Sequence, residues 1–210
     1  MIQGLGAALS ALTAQGQRMD ALANDTANLN TTGYRAARLA LTERSAGVAA
    51  VDLGRSDAQG ALIATGEPLD LAVEGDGWFQ VQRADGSHAL TRAGAFQVDA
   101  SGRIVTGTGE PLVPPIGLPP GADPSSIAIA SDGTVSAAGV WVGRIQLFDG
   151  HGTPLPASSS NIRQGALEAS DVDLAETVVG TIEARTSYKA AIEALHVQDE
   201  MWASLLELRR

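Results

Sequence analysis

The chain has 210 residues, enough for one substantial domain or two small ones, and its 14 basic and 24 acidic residues give a formal net charge of −10. That acidic balance argues against sequence-independent nucleic-acid binding and against binding to anionic membrane surfaces, because both need a basic footprint. The absence of cysteine excludes disulfides, thiolate metal sites and cysteine nucleophiles.

A long N-terminal helix is predicted within the segment 1–35. Apolar and small residues recur there at steps of three and four, which is a heptad-like pattern. The apolar positions that would face a partner helix are Leu12, Met19, Leu22 and Leu29. The N-terminus lacks the basic and apolar regions of a cleavable signal peptide, and no apolar run is long enough to predict a membrane span.

Polar residues fill the end of this helix, although Asn, Asp and Thr are poor helix formers. Asn24 and Asn28 are four apart and share one face, so their amides suit hydrogen bonds to a neighbouring helix. Gly33 is expected to take the left-handed conformation that ends a helix. We interpret these polar residues as positions that lower helix stability but fix the register of packing during assembly, as a polar core position does in a coiled coil.

The middle of the chain changes from helical periodicity to alternation. Residues 36–66 are predicted to be an extended connector, residues 67–148 a central all-β module, and residues 149–165 a return linker rich in Gly, Pro and Ser. Alternating segments such as Phe79–Val81 and Ile145–Leu147 indicate strands, and Asp132-Gly133 indicates a hairpin turn.

A second long helix is predicted within residues 166–210. Ser170 is the expected N-cap, and the acidic residues Glu168, Asp171, Asp173 and Glu176 are interpreted as charge at the positive end of the helix dipole. The apolar positions of this helix include Val178, Ile182, Ile192, Leu195, Trp202 and Leu206. The predicted class is therefore α+β, with long terminal helices that pair as a coiled-coil-like layer and a central all-β module.

The sequence has no recognisable motif for catalysis, metal binding or nucleotide binding. His88, His151 and His196 are widely spaced and have no second ligand at metal-binding spacing. The Gly75-Asp76-Gly77 segment lies between strands and is interpreted as a turn, not a phosphate loop. No enzyme, cofactor or metal site is predicted.

The chain resembles the bacterial flagellar rod and hook proteins. The resemblance rests on Met19–Asn24, Ala27-Asn28 and Thr32-Gly33-Tyr34-Arg35 at the N-terminus, on Leu69–Val81 in the centre, and on Gln164–Asp173 before the last helix. These motifs occur in the family's order over nearly the whole chain. Asp25-Thr26 departs from the family's usual Asn-Leu pair.

The resemblance implies a structural subunit of the periplasm-spanning rod, a hollow helical drive shaft that transmits torque and conducts exported subunits. It implies homo- or hetero-oligomeric contacts with proximal and distal rod subunits and hook–basal-body components, and export without a cleaved signal peptide through the flagellar type III apparatus. Tyr34 is the aromatic of the N-terminal signature, and Gly33-Tyr34 is expected to take part in assembly.

Within the family, the short chain favours the proximal rod type that adjoins the distal segment, and the distal rod or hook type is the alternative. The terminal helices are expected to be largely disordered in the isolated subunit. Outside the family, a secreted ligand-binding β protein with helical ends remains as the competing hypothesis; it would need a convergent polar site.

Overall fold

The computed structural model has one helix near each end of the chain and a β-rich region between them in the sequence. It describes residues 2–45, 47–119, 123–156 and 161–207, without the side chains of residues 2, 3, 205 and 206. Helix α1 is Ile2–Ala27 and helix α2 is Leu174–Glu207. The predicted α+β class is confirmed. Among the described residues, no helix is long and apolar enough to cross a membrane.

In the sequence, all the described strands lie between the two helices, and all but the first two have five residues or fewer. They are β1 Ala37–Arg44, β2 Gly47–Arg55, β3 Leu62–Ala64, β4 Leu71–Val73, β5 Phe79–Gln82, β6 His88–Thr91, β7 Phe96–Val98, β8 Ile104–Thr106, β9 Ile127–Ile129, β10 Thr134–Ala137, β11 Val140–Arg144, β12 Ile162–Gln164 and β13 Ala166–Glu168. The chain forms two compact units. The helical unit comprises residues 1–29, 35–57 and 172–210, and the β unit comprises residues 30–34 and 58–171.

In the helical unit, α1 and α2 pack antiparallel. Gly4 lies against Gln198 near one end of the pair, and Leu22 lies against Gly180 near the other. Arg18 and Glu183 form an exposed ion pair of 2.9 Å between the two helices. Helix α2 begins one turn later than predicted, because the Asp173 carboxylate accepts the backbone N–H groups of Ala175 and Glu176 and therefore is the N-cap in place of Ser170.

The segment predicted as a connector holds a long hairpin. Strands β1 and β2 pair antiparallel from Ala37–Arg55 to Arg44–Gly47, with an irregularity near the base. The hairpin lies against α1, and a Cβ at Gly47 would meet Ser10 and Ala7 of the helix. Ala and Gly have weak strand propensity and no clear alternation here, which is why the sequence predicted an extended connector.

The β unit is built from antiparallel pairs and one three-stranded sheet with the order β11-β10-β9. Its core is aliphatic apart from Phe79 and Phe96, whose rings meet edge to face with centroids 5.2 Å apart. β9 and β10 pair across the Asp132-Gly133 turn, where Gly133 has φ +85°. Ile145 and Leu147 are buried, but they lie outside the strands.

The β unit extends beyond the predicted limits of the central module. β12 lies in the predicted return linker and pairs with β4, and β13 lies in the predicted C-terminal segment and pairs with β3. Each is three residues long and pairs with a strand about a hundred positions away along the chain. Such short non-local pairs leave little local signal in a sequence.

Candidate functional site

Small residues on α2 form the face that packs on α1. Thr177, Gly180 and Ala184 are buried there. A Cβ placed at Gly180 would lie 3.3 Å from Leu22 Cδ2, so glycine allows the two backbones a close approach. On α1, Leu12, Met19, Leu22 and Leu29 are half-buried.

The predicted apolar positions of α2 do not lie on one face. Ile192 and Leu195 are half-buried, whereas Val178 and Ile182 are 49% and 60% exposed and point away from α1. Trp202 is also largely exposed, and the side chain of Leu206 lies outside the described residues. Large side chains that the sequence predicted for the intrachain seam therefore remain uncovered in the single chain.

These exposed side chains form a line along α2. Val179, Ile182, Val197 and Met201 are all exposed. Their positions fall within a sector of roughly 100° on a helix of about 3.6 residues per turn, opposite Gly180 and Ala184. We call this set the outer line of α2. Thr186, Ala190 and Glu193 lie in the same sector between Ile182 and Val197, so the outer line consists of two exposed apolar clusters, one towards each end of α2. Exposed apolar clusters of this kind indicate a surface for a partner.

The asparagines at the end of α1 have local roles. The backbone N–H of Asn28 donates to the Asn24 carbonyl at 3.1 Å, and its side-chain amide donates to the same carbonyl at 2.9 Å. Asn28 thereby satisfies a carbonyl of the last turn, one of the groups that a helix end leaves without an intrahelical donor. Asn24 is exposed and Asn28 is half-buried.

Two side chains of α1 anchor the hairpin along the helix. The carboxylate of Asp25, which is buried, accepts the backbone N–H of Ala37 at 3.0 Å at the hairpin base. The hydroxyl of Ser10 accepts the N–H of Val48 at 3.1 Å at the hairpin tip. The signal for Asp25 was available in the sequence, because a carboxylate near a helix C-terminus opposes the dipole and needs another reason to be there.

Gly33 and Tyr34 lie in the β unit, beyond the end of α1. Gly33 has φ +65°, and its N–H donates to the backbone carbonyl of Glu168 at 2.7 Å. A Cβ at this position would lie 2.3 Å from the backbone of Arg92 and Ala93. The left-handed conformation was predicted correctly, but its purpose is this close approach, since α1 has already ended at Ala27.

An ion pair lies directly beside this contact. Arg92 Nη1 is 3.1 Å from Glu168 Oε2, and the side chains are only 4% and 1% exposed. Arg92 also donates to the carbonyl of Gly75 at 2.7 Å, and its guanidinium carbon lies 5.3 Å from the centre of a Trp78 ring. Arg92 thus joins a turn to β13, and Trp78 covers it by a cation–π contact.

Glu168 therefore has a different role from the one predicted. It is not a charge at the start of α2, which begins at Leu174. Its second oxygen accepts the N–H of Gly60 at 3.1 Å, while its main chain accepts the N–H of Gly33. Gly33, Gly60 and Arg92, from three distant parts of the sequence, therefore meet at this one residue, the last two at its side chain. An acidic residue within a short apolar strand was the only local indication.

The described side chains form structural contacts and open grooves. Among the described residues, no group of three His, Cys, Asp or Glu side chains could hold a metal ion. One groove of about 450 Å³ runs between α1 and the hairpin tip, and another of about 450 Å³ runs along β6 in the β unit. Both are open grooves with few charged side chains.

Comparison with known proteins agrees with this layout. Three family models match successive parts of the chain: "Flagella basal body rod protein" at residues 5–35, "Flagellar hook protein FlgE/F/G D1 domain" at 72–137 and "Flagellar basal body rod FlgEFG protein C-terminal" at 163–208. The first and third coincide with the regions of α1 and α2, and the second lies inside the β unit.

Whole-length relatives match as well. The flagellar basal-body rod protein FlgG of Agrobacterium fabrum is 31% identical, over 95% of this chain and 97% of the relative. FlgF of Caulobacter vibrioides is 30% identical over 91% of both chains. FlgG of Bacillus subtilis is 27% identical over the full length of both. The chain therefore belongs to the flagellar basal-body rod protein family.

Proposed function

We propose that the chain is a structural subunit of the flagellar rod that assembles helically into the hollow, torque-transmitting shaft across the periplasm, and that it catalyses no reaction. The outer line of α2 carries this proposal. Intrachain packing already uses the small-residue face of α2, so the large apolar side chains are left for neighbouring subunits. Contacts of this heterologous kind build open filaments, not closed rings.

The residues proposed for assembly lie on the two helices and in the segment that follows α1. The single chain leaves them exposed or half-buried, apart from Leu206, whose side chain lies outside the described residues. They are Leu12, Met19, Leu22, Asn24, Asn28, Leu29, Gly33, Tyr34, Val178, Ile182, Ile192, Leu195, Trp202 and Leu206. The proposed partners are proximal and distal rod subunits and hook–basal-body components. Delivery is through the flagellar type III export apparatus, without a cleaved signal peptide.

The proposed subtype is the proximal rod type that adjoins the distal segment, with the distal type as the alternative. The short chain supports the first. The alignment with the Agrobacterium protein runs over 255 residues although this chain has 210, so that relative carries residues with no counterpart here. The alternative is supported by FlgG relatives that match over their whole length.

A deletion strain tests the role directly. Cells lacking this chain are expected to build no complete rod and not to swim, and the wild-type gene should restore both. Electron cryo-microscopy of basal bodies with the subunit located would then assign the subtype from its axial position. A deletion strain that assembles a rod and swims would refute the proposed function.

The isolated subunit provides a second test. Two helices bury only one seam, so the pair is marginal until neighbours cover the outer line. We expect circular dichroism of the purified monomer to show far less helix than the assembled form. Full helix content before assembly would contradict the idea that the ends fold on incorporation.

A further inference from the structure

The most exposed large side chains of the β unit lie on one edge strand. Val140 and Trp141 at the start of β11 are 64% and 68% exposed. Strand β11 pairs with β10 along one edge, and in the part of the chain that the structure describes no strand pairs with its other edge. Unpaired hydrophobic edges are templates for another strand, and proteins usually protect them.

The backbone at Trp141 is oriented for such pairing. β10 and β11 are joined by the two residues Ala138 and Gly139, which both have positive φ. Ala137 pairs with Val140 next to this turn, and Ser136 pairs with Trp141. In a two-residue hairpin the pair beside the turn is hydrogen-bonded and the next pair is not. The N–H and C=O of Trp141 therefore point to the free edge.

The same unit carries a matching surface. The groove of about 450 Å³ along β6 has walls from β6 itself, from the loop that follows it, and from the segment that begins at the end of β8. Its lining residues are Val81, Arg83, Ala89, Leu90, Thr91, Ala93, Ala95, Gln97, Thr106, Gly107, Thr108 and Glu110. β6 pairs only with β5 among the described strands, so its other edge also presents unpaired backbone groups. The groove has small, mostly uncharged walls and has room for an indole ring.

Charges at the two surfaces are complementary. Arg144 at the end of β11 pairs with Asp132 at 3.4 Å, and the wall of the β6 groove carries both Arg83 and Glu110, so each surface holds one charge of either sign. A docking direction that sets Arg144 against Glu110 and Asp132 against Arg83 pairs opposite charges, and such pairs favour one direction more than they add affinity.

We propose that the β11 edge of one subunit docks into the β6 groove of a second copy of this chain, with Trp141 as the anchor. The contact is heterologous, because each subunit offers one edge and one groove, and it therefore propagates along a filament. Strand addition supplies main-chain hydrogen bonds, and a buried Trp at the centre of an interface commonly dominates its energy. The inference rests on the proposed self-assembly and adds a contact through the β unit.

Thiol crosslinking of the full chain tests this contact, since the chain has no cysteine of its own. Val140→Cys and Thr108→Cys place one thiol on the edge and one in the groove, both at exposed positions. With a short bifunctional thiol reagent at high protein concentration, we expect dimers when the two single variants are mixed. Each variant alone should give few, and the double variant should give a ladder of oligomers.

Two controls make the outcome decisive. Ile63→Cys is comparably exposed, lies on β3, and should not crosslink to Thr108→Cys above background. Adding Trp141→Ala to the Val140→Cys variant should lower the yield of mixed dimer roughly tenfold or more. It should leave the thermal unfolding midpoint unchanged, because Trp141 contributes little to the core.

Several results would overturn the contact. The contact is wrong if the yield of mixed dimer is no higher than with the Ile63→Cys control, or if Trp141→Ala does not lower it. It is also wrong if Val140→Cys alone forms dimers, or if the thiols crosslink in cells to a different protein in place of this chain. The crosslink is scored separately from rod assembly. A strain that builds rods without the crosslink refutes the docking alone, whereas swimming without this chain refutes the proposed rod function.

Discussion

Arg92 and Glu168 show how one pair of residues holds together segments that are far apart in sequence. Both are nearly inaccessible to solvent, and between them they contact the turns at Gly60 and Gly75. A buried ion pair is weak support for stability as a whole, because desolvation offsets much of the attraction. Removing only one partner is costly, since the other charge is left buried without its counter-charge.

Replacing one member of this pair should therefore destabilise the β unit strongly. We expect Glu168→Gln to lower the free energy of unfolding by about 3–5 kcal/mol, because Arg92 loses its counter-charge. Urea unfolding followed by Trp fluorescence measures the change, and Trp78 beside Arg92 is a local reporter.

A matched control is available in the same unit. Arg163 and Glu74 form a solvent-accessible ion pair, so Arg163→Gln should change stability by no more than about 1 kcal/mol. Equal losses in Glu168→Gln and Arg163→Gln would show that the buried pair is not important for stability.

Aspartates at the turns of the β unit make its stability depend on pH. In each case hydrogen bonds from nearby residues lower the pKa of the carboxyl below its ordinary value of 3.8. The hydrogen bond that lowers the pKa most comes from the Ser87 hydroxyl for Asp85 and from a backbone N–H for the other four. The residues are Asp85, Asp99, Asp123, Asp132 and Asp149.

Because the pKa of these carboxyls is lower in the folded chain than the 3.8 of the unfolded chain, their ionised forms stabilise the fold at pH values above 3.8. This stabilisation is lost as the pH falls below 3.8 and the carboxylates become protonated. We expect the thermal midpoint of the β unit to fall between about pH 5 and pH 3. Asp132→Asn should make that fall smaller, whereas Asp20→Asn, with the same charge change on α1, should not. An identical pH profile for Asp132→Asn would contradict this assignment.

At the scale of elements, the glycines of the two helices differ in what surrounds them. A Cβ at Gly16 in α1 would meet nothing within 4 Å, whereas a Cβ at Gly180 in α2 would press on Leu22. Glycine inside a helix costs about 1 kcal/mol relative to alanine. Of Gly16 and Gly180, Gly180 is the one at which the packing of the two helices gives a reason for that cost.

Gly16→Ala in the full chain should therefore favour the helical state of α1 by about 1 kcal/mol. Gly180→Ala should gain less or lose stability, because Leu22 must move to admit the methyl group. Helix content by circular dichroism and its thermal midpoint measure both variants. A larger gain from Gly180→Ala than from Gly16→Ala would contradict the described seam between α1 and α2.

The sequence predicted some elements well and others poorly, for physical reasons. The two helices gave a long periodic signal, and the Asp132-Gly133 turn gave a specific one. The β1–β2 hairpin and strands β12 and β13 were not predicted. Their stability comes from packing on α1 and from partners far along the chain, which local propensity does not report.

At the scale of the molecule, the two compact units allow the helical ends and the β unit to be separated experimentally. We expect a chain truncated by residues 171–210 to lose incorporation into rods but to keep the β fold. β13 and Glu168 remain in such a chain, so the pairing with β3 and the ion pair with Arg92 are preserved.

A cut that removes residues 166–210 is the matched control. It deletes β13 and Glu168 as well, so the β unit should lose its cooperative unfolding transition. Near-ultraviolet circular dichroism and thermal melting distinguish the two truncations. If both chains keep the same transition, the β unit does not depend on its contact with the C-terminal segment.

Sequence alone determined the helix–β–helix order, the acidic character and, through motifs in a fixed order, the family. Tertiary structure alone decided which face of α2 packs on α1, why Gly33 is left-handed, and that Glu168 is buried against Arg92. Helical periodicity of apolar residues predicts that a side chain should be buried, but it does not predict which segment or subunit buries it. The close approach of two backbones and the pairing of distant charges depend on which segments meet, and that is settled only when the whole chain folds.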